Sequence, residues 1–150
     1  MSEPVIAALV GIATSDTDSN VRVEAAQVLG SGGGLSEPVI AALVRIATSD
    51  TDWYTRRNAV AVLRQAPPTH DLRNHLQSLF KDPDNDVRRE AGNVLVELSR
   101  QHPESAADIR SDLVRACNDP ALNKEDQHEH RTGWDYAYNA LRSHIDTLPQ

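Results

Sequence analysis

At 150 residues the chain has room for one domain or one short repeat array, and 15 Lys plus Arg against 22 Asp plus Glu leave a formal charge of −7, which argues against non-specific binding to nucleic-acid phosphates. Only 4% of residues are aromatic and 39% are hydrophobic, mostly Ala, Val and Leu, a set that suits closely packed helices better than a β-sandwich. The longest apolar run, Val5 to Val10, is too short to span a bilayer, Met1-Ser-Glu-Pro4 carries no secretory signal, and the lone Cys117 cannot form an internal disulfide, so a cytoplasmic setting is the default expectation.

Taken in chain order, the first helix is expected to start at Ser2, an N-cap, with Pro4 in the first turn where a missing N–H costs nothing. Val5, Ile6, Leu9, Val10 and Ile12 follow at helical spacing, and the polar Thr14-Ser-Asp-Thr-Asp18 breaks the pattern. Asn20 is expected to cap the second helix, Val21, Ala25, Val28 and Leu29 to form its buried stripe, and Gly30 to close it. Gly32-Gly-Gly34 has no Lys-Ser/Thr after it, so it reads as a connector and not a P-loop.

The pattern then repeats. Ser2 to Asp18 recurs as Ser36 to Asp52, with Gly11 against Arg45 the one mismatch in 17 residues, at a period of 34. Trp53 and Tyr54 replace Ser19 and Asn20, and Pro67-Pro68 end the second unit. Lys81 to Leu95 aligns with Ser49 to Leu63, with Asp86 expected as N-cap and Val87, Ala91, Val94 and Leu95 as the buried stripe. Gly133 to Leu141 can be laid on Val87 to Leu95, after a polar loop at 119–132. One domain of four helix pairs is expected, at about 2–35, 36–69, 70–102 and 103–148.

Asp82-Pro-Asp-Asn-Asp-Val-Arg-Arg-Glu-Ala-Gly-Asn-Val-Leu95 resembles the signature of HEAT-type repeats, of the short kind called phycobilisome-lyase HEAT-like repeats, and Asn20-Val-Arg-Val-Glu-Ala-Ala-Gln-Val-Leu-Gly30 is similar to the same pattern. The resemblance covers nearly the whole chain, least well residues 119–132. It implies an all-α, right-handed α-solenoid whose second helices line a concave face. Register on that face gives one outward row of Val23, Arg57, Arg89 and Asp135, a second of Gln27, Ala61, Asn93 and Asn139, and flanking Glu24, Asn58, Glu90 and Tyr136. From these, Trp53, Tyr54, Arg57, Arg89, Asn93, Tyr136 and Asn139 are the expected partner-binding residues, because Trp, Tyr and Arg are enriched at binding hot spots. Trp53 and Tyr54 have a second reading, as a hydrophobic staple at the helix start. Trp134, Tyr136 and Tyr138 have one too, as core filling for a terminal unit. The family pattern also implies a structural ladder of Arg22, Arg56 and Arg88 against Asp16, Asp50 and Asp82, tying the turns of adjacent repeats.

No cofactor or metal is expected. His128 and His130 flank Glu129 in the polar loop, but a metal site needs three or four spaced ligands. An iron hydroxylase built from similar repeats uses His-Glu pairs at the start of its second helices. Here those places hold Val23-Glu24, Arg57-Asn58 and Arg89-Glu90, with no His. Cys117 reads as a packed core thiol. With no G-x-S-x-G, Rossmann or zincin motif, a non-enzymatic role is expected.

Charge is uneven: residues 1–35 sum to −3, 36–69 to +1, 70–102 to −1 and 103–150 to −4. The first unit is nearly a copy of the second and should want a neighbour on both sides, so the chain is expected to be the C-terminal end of a longer array or to self-associate through that unit. The leading functional expectation is a protein-interaction module with a protein partner on the concave face. Its repeats resemble those that follow NACHT-type nucleotide-binding sensors of bacteria. The alternatives are an accessory subunit of a bilin lyase, which needs a tetrapyrrole pocket, and a DNA binder of the HEAT-like glycosylase kind, which the charge disfavours.

Overall fold

In a computed structural model, residues 1–32, 35–123 and 133–147 are described. They form eight α-helices, and no strand occurs among them: α1 (Glu3–Ser15), α2 (Ser19–Ser31), α3 (Glu37–Ser49), α4 (Trp53–Val62), α5 (His70–Ser78), α6 (Asn85–Gln101), α7 (Ala106–Cys117) and α8 (Gly133–Thr147). The chain divides into two compact units, Met1–Ala66 and Pro67–Gln150. In the first, α1 pairs with α2 and α3 with α4, while α1 lies against α3 and α2 against α4. First helices thus form one layer and second helices the other. The second unit follows the same plan, with α5 against α7 and α6 against α8. Leu29, Leu43, Ala47, Ala59 and Val60 fill the core of the first unit, and Leu76, Phe80, Val87, Leu95, Ile109 and Leu113 that of the second.

Helix starts are set by aspartates, two residues before the expected caps Asn20 and Asp86. Asp18 is the N-cap of α2 and accepts from the Asn20 N–H, and Asp84 is the N-cap of α6 and accepts from the N–H groups of Asp86 and Val87. Asp52 does the same for α4 through the Thr55 N–H. The aspartate two places before each cap folds the turn: Asp16 accepts from the Asp18 N–H, Asp50 from that of Asp52, and Asp82 from that of Asp84. An Asp-x-Asp pair therefore makes each turn, because a short carboxylate reaches the N–H two residues on. Ser2 and Ser36 stand at the expected N-cap positions in extended conformation, but neither side chain makes a capping bond.

Helix ends also depart from expectation. Gly30 lies inside α2 and is buried, with Gly32 at the C-cap. A Cβ on Gly30 would overlap Cγ1 of Val62, so the glycine is there for the close approach of α2 to α4. Before Pro67-Pro68, α4 tightens into a 3₁₀ turn at Leu63–Gln65 and Ala66 turns extended (φ −86°, ψ 153°), the conformation that a following proline imposes.

The buried stripe holds for α6 and fails in part for α2. Val21 and Val28 are 38% and 46% exposed, whereas their repeat counterparts Thr55 and Val62 are 0% and 8%. The same division separates α1 from α3. Val5 and Ile12 are 47% and 40% exposed, while the identical Val39 and Ile46 are each 3%. Identical side chains take opposite environments because the α1–α2 hairpin packs on α3–α4, whereas among the described residues no hairpin packs on that face of α1–α2.

Candidate functional site on the second helices

In the first unit the Asp52 cap fixes the first turn of α4, and with it Trp53 and Tyr54. The two rings meet edge-on, with centroids 5.7 Å apart, and each side chain remains 42% exposed. Trp53 opens the helix itself, so it does not occupy the pre-cap position that a hydrophobic staple needs. Asn58, one turn on, donates to the Tyr54 carbonyl (2.7 Å) and accepts from Gln27 of α2 (3.4 Å). That bridge holds the start of α4 against α2 and accounts for the burial of Asn58, which register alone puts on the outward flank. Arg57 is half-buried beside them. Val23 is corrected from the outward row to the core, at 4% exposure. Its position borders the helix seam, where a short apolar side chain stays in and a long guanidinium reaches out, as Arg89 does.

Arg22 makes a forked contact with Asp50 of the next hairpin, Nε to Oδ2 at 2.9 Å and Nη2 to Oδ1 at 3.0 Å. Its Nη1 donates to the Asp16 carbonyl of its own turn at 2.8 Å. Both side chains of the ion pair are nearly buried, and the bond to Asp50 holds the Arg22 guanidinium above its ordinary pKa against the opposing effect of burial. Arg56 and Arg88 repeat the carbonyl contact, to Asp50 at 2.9 Å and to Asp82 at 2.7 Å. The arginines thus close their own turns, and Arg22 clamps the first two hairpins together.

In the second unit, Arg89 of α6 is exposed, pairs with Asp86 at 3.0 Å, and lies over the Tyr136 ring 6.0 Å from its centroid. Arg88 approaches the same ring at 5.5 Å. Tyr136 itself is corrected from a surface contact to a core residue. It is 4% exposed, and its hydroxyl has no hydrogen-bond partner among the described residues. Gly92 lets α8 come this close, since a Cβ there would stand 3.2 Å from that of Ala140 and 3.5 Å from the Tyr136 carbonyl. Asn93 and Asn139 are exposed. Trp134 and Tyr138 stack at 4.9 Å on the exposed side of α8, so this aromatic cluster divides: Tyr136 packs inside, and Tyr138 is 44% exposed. Trp53, Tyr54 and Arg57 belong to the first unit, and Arg89, Asn93, Tyr136 and Asn139 to the second.

Two features escape a reading of the sequence. Arg73 of α5 pairs with Asp112 of α7 at 2.7 Å, both side chains nearly buried, and its Nη1 donates to the Pro68 carbonyl. Neither residue falls in the repeat phase that exposes the other arginines. Between α5 and α7 an open cleft of 570 Å³ is lined by Asn74, Gln77, Lys81, Arg115, Asp119 and Leu122 among others, with Lys81 bonded to Asp119 at 3.1 Å. Cys117 is half-buried, and burial pushes its thiol pKa up, away from nucleophilic behaviour. His128, Glu129 and His130 lie outside the described residues.

Layered hairpins with in-phase arginines and Asp-x-Asp turns agree with the comparison to known families, in which the model for HEAT repeats matches residues 2–64 and 40–124. The chain belongs to the HEAT-repeat family. No curated protein and no solved structure matches it. As a HEAT-repeat protein it is an all-α chain of the α-solenoid class, a class commonly used as a scaffold for protein interactions. The matched segments stop short of α8, where the repeat is most divergent. No helix among the described residues is long and apolar enough to cross a membrane.

Proposed function

We propose that this HEAT-repeat protein is a non-catalytic interaction module that binds a protein partner through the exposed positions of its second helices. One observation carries the reading. Between two units otherwise copied over 17 residues, Ser19-Asn20 becomes Trp53-Tyr54, and both aromatic side chains stand 42% exposed at a rigidly capped helix start. A core has no use for that change, whereas large rigid side chains presented to solvent suit partner contact at low entropic cost. Arg57 follows them on α4, and on the second unit, taken by itself, Arg89, Asn93 and Asn139 are exposed polar positions of α6 and α8 suited to contact of the same kind.

The test uses the protein's own repeat as its control. Trp53→Ser with Tyr54→Asn restores the residues of the first unit, which already support a helix start of this kind. The double variant should keep the helical spectrum of the parent and lose the partner that the parent retains in cells. An Arg110→Ala control, at an exposed site on a first helix, should keep it. An unchanged partner after the double reversion would reject the reading.

A further inference from the structure

Residues 19–31, which form α2, carry one arginine and one glutamate and sum to zero. The corresponding residues one period on, 53–65, carry Arg56, Arg57 and Arg64 with no acid, and sum to +3 in a chain of −7. Three exchanges make the difference: Val23 becomes Arg57, Glu24 becomes Asn58 and Gly30 becomes Arg64. Arg56 is buried and donates to the Asp50 carbonyl, so it belongs to the fold. The two added guanidiniums do not. Among the described residues neither Arg57 nor Arg64 has a carboxylate in ion-pair contact. The acids just before α4 are engaged elsewhere, Asp50 by Arg22 and Asp52 by the N–H and hydroxyl of Thr55. On α6 and α7 the exposed arginines each pair with an acid three residues earlier, Arg89 with Asp86, Arg100 with Glu97 and Arg115 with Asp112. The sequence of α4 offers no such acid.

These side chains share one stripe. Trp53, Arg57, Ala61 and Arg64 stand four, four and three residues apart, the spacing of neighbours along one helix face, with Tyr54 beside them. Trp53, Tyr54 and Arg64 are exposed, and Arg57 and Ala61 are half-buried. The stripe therefore has an aromatic end and a cationic end, with Arg57 and Arg64 ~10 Å apart along the axis at ~1.5 Å per residue. Between them Ala61 stands where α2 has Gln27, so the middle of the stripe is its lowest point.

Taking the start of α4 as the partner site proposed above, we infer that this stripe binds an acidic segment of the partner protein, with an apolar side chain against Trp53 and Tyr54 and carboxylates on Arg57 and Arg64. An extended segment advances ~3.3 Å per residue, so acids about three to four residues apart reach both arginines. A single exposed ion pair adds little, but two forked contacts beside an aromatic anchor give both steering and register. A nucleic acid fits less well. A phosphate chain needs cations along its path, and here two free arginines stand in a unit whose first repeat, residues 1–35, sums to −3.

Random peptides of about twelve residues, displayed on phage and selected on the full chain, are the probe, since that length overreaches the ~17 Å stripe. Retained peptides should be enriched in Asp and Glu around an aromatic or aliphatic residue. The strongest should bind about tenfold or more weakly after Arg57→Glu with Arg64→Glu. Arg57→Gln with Arg64→Gln is milder for the fold and keeps a long polar side chain at both places. It should remove most of the weakening that the parent shows between about 50 and about 500 mM NaCl. Arg45→Glu, at an exposed site on α3, changes the charge of the same unit and should leave binding within about twofold. All variants should keep the helical spectrum of the parent. Retained peptides without acidic bias, or a loss from Arg45→Glu equal to that from the double reversal, would overturn the inference. So would a labelled single-stranded DNA of about twenty nucleotides that binds more tightly than the peptides and is released by the double reversal, because nucleic acid would then be the occupant. Peptides lost to Trp53→Ser with Tyr54→Asn but kept by the arginine variants would overturn the acidic partner and leave the α4 surface standing. Peptides kept by both sets of variants would remove the surface as well.

Discussion

Ile12 and Ile46 offer the same side chain in the same helix sequence under two burial conditions. Ile46 is 3% exposed and Ile12 is 40% exposed. Truncating a buried isoleucine to alanine removes transfer energy and leaves a cavity, a loss of about 2–5 kcal/mol. At Ile12 the transfer loss shrinks with the area already in water, and solvent reaches the space left behind, so the loss should be about 1–1.5 kcal/mol. Flanking residues differ only at Gly11 against Arg45, so helix propensity at the mutated position cancels in the comparison. Urea unfolding of Ile12→Ala and Ile46→Ala, followed by circular dichroism, should give a midpoint shift about two to three times larger for Ile46→Ala, with similar slopes. Val5→Ala and Val39→Ala should repeat the ordering at smaller scale. Equal losses at the two isoleucines would refute the reasoning, since they would mean that α1 is as covered in solution as α3.

Glycine gives a second matched pair. Gly30→Ala should destabilise by about 1–3 kcal/mol because its Cβ meets Val62, whereas Gly11→Ala, with open space around the new methyl, should stabilise by about 0.5–1 kcal/mol; thermal unfolding reads both. Arg22→Ala leaves the nearly buried Asp50 carboxylate without its fork and should cost about 3–5 kcal/mol, while Arg22→Met with Asp50→Asn, which removes the unpaired charge and keeps an acceptor for the Asp52 N–H, should recover part of that in a denaturant titration. His144 is 1% exposed, and burial first, then the nearby Arg110 charge, holds its imidazole below the ordinary value of 6.5, against the raising effect of a hydrogen bond that the ring donates to the Ala106 backbone. Its folded pKa is depressed below the unfolded one, so the unfolded chain binds the proton first. The stability it contributes is complete above pH 6.5 and falls as the pH drops below that value toward the depressed folded pKa. Urea midpoints should therefore fall on acidification from about pH 7.5 to about pH 5.5, and His144→Gln should flatten that dependence.

The fold was legible because the repeat wrote it twice. A 17-residue copy at a period of 34 defines the unit, and apolar spacing defines both helices within it. What stayed hidden depends on neighbours rather than on local pattern. Val21 and Val28 carry the same signal as Val87 and Val94, yet they are exposed because no described element packs in front of the first hairpin. Tyr136 reads as outward by register and is buried because Gly92 admits α8 against α6. The caps fall two residues before their expected places although the signal is present, since each turn holds an Asp-x-Asp pair whose second member caps the helix. Arg73 and Asp112 meet across α5 and α7 outside the repeat phase, and sequence alone has no means of pairing them. Of the candidate surface, Trp53 and Tyr54 were the most legible part. They interrupt a copy, and a substitution that serves no core position points outward.

If the exposed second-helix positions, led by Trp53 and Tyr54, are the working surface of this HEAT-repeat chain, a bound protein must cover them. Hydrogen–deuterium exchange of the chain, alone and with a protein captured on it from its source cells, reads that cover residue by residue. Binding should slow exchange at residues 53–58 and along the exposed positions of α6 and α8, and leave α1, α3, α5 and α7 unchanged. Protection confined to those first helices, with none at residues 53–58, would mean that the partner binds elsewhere.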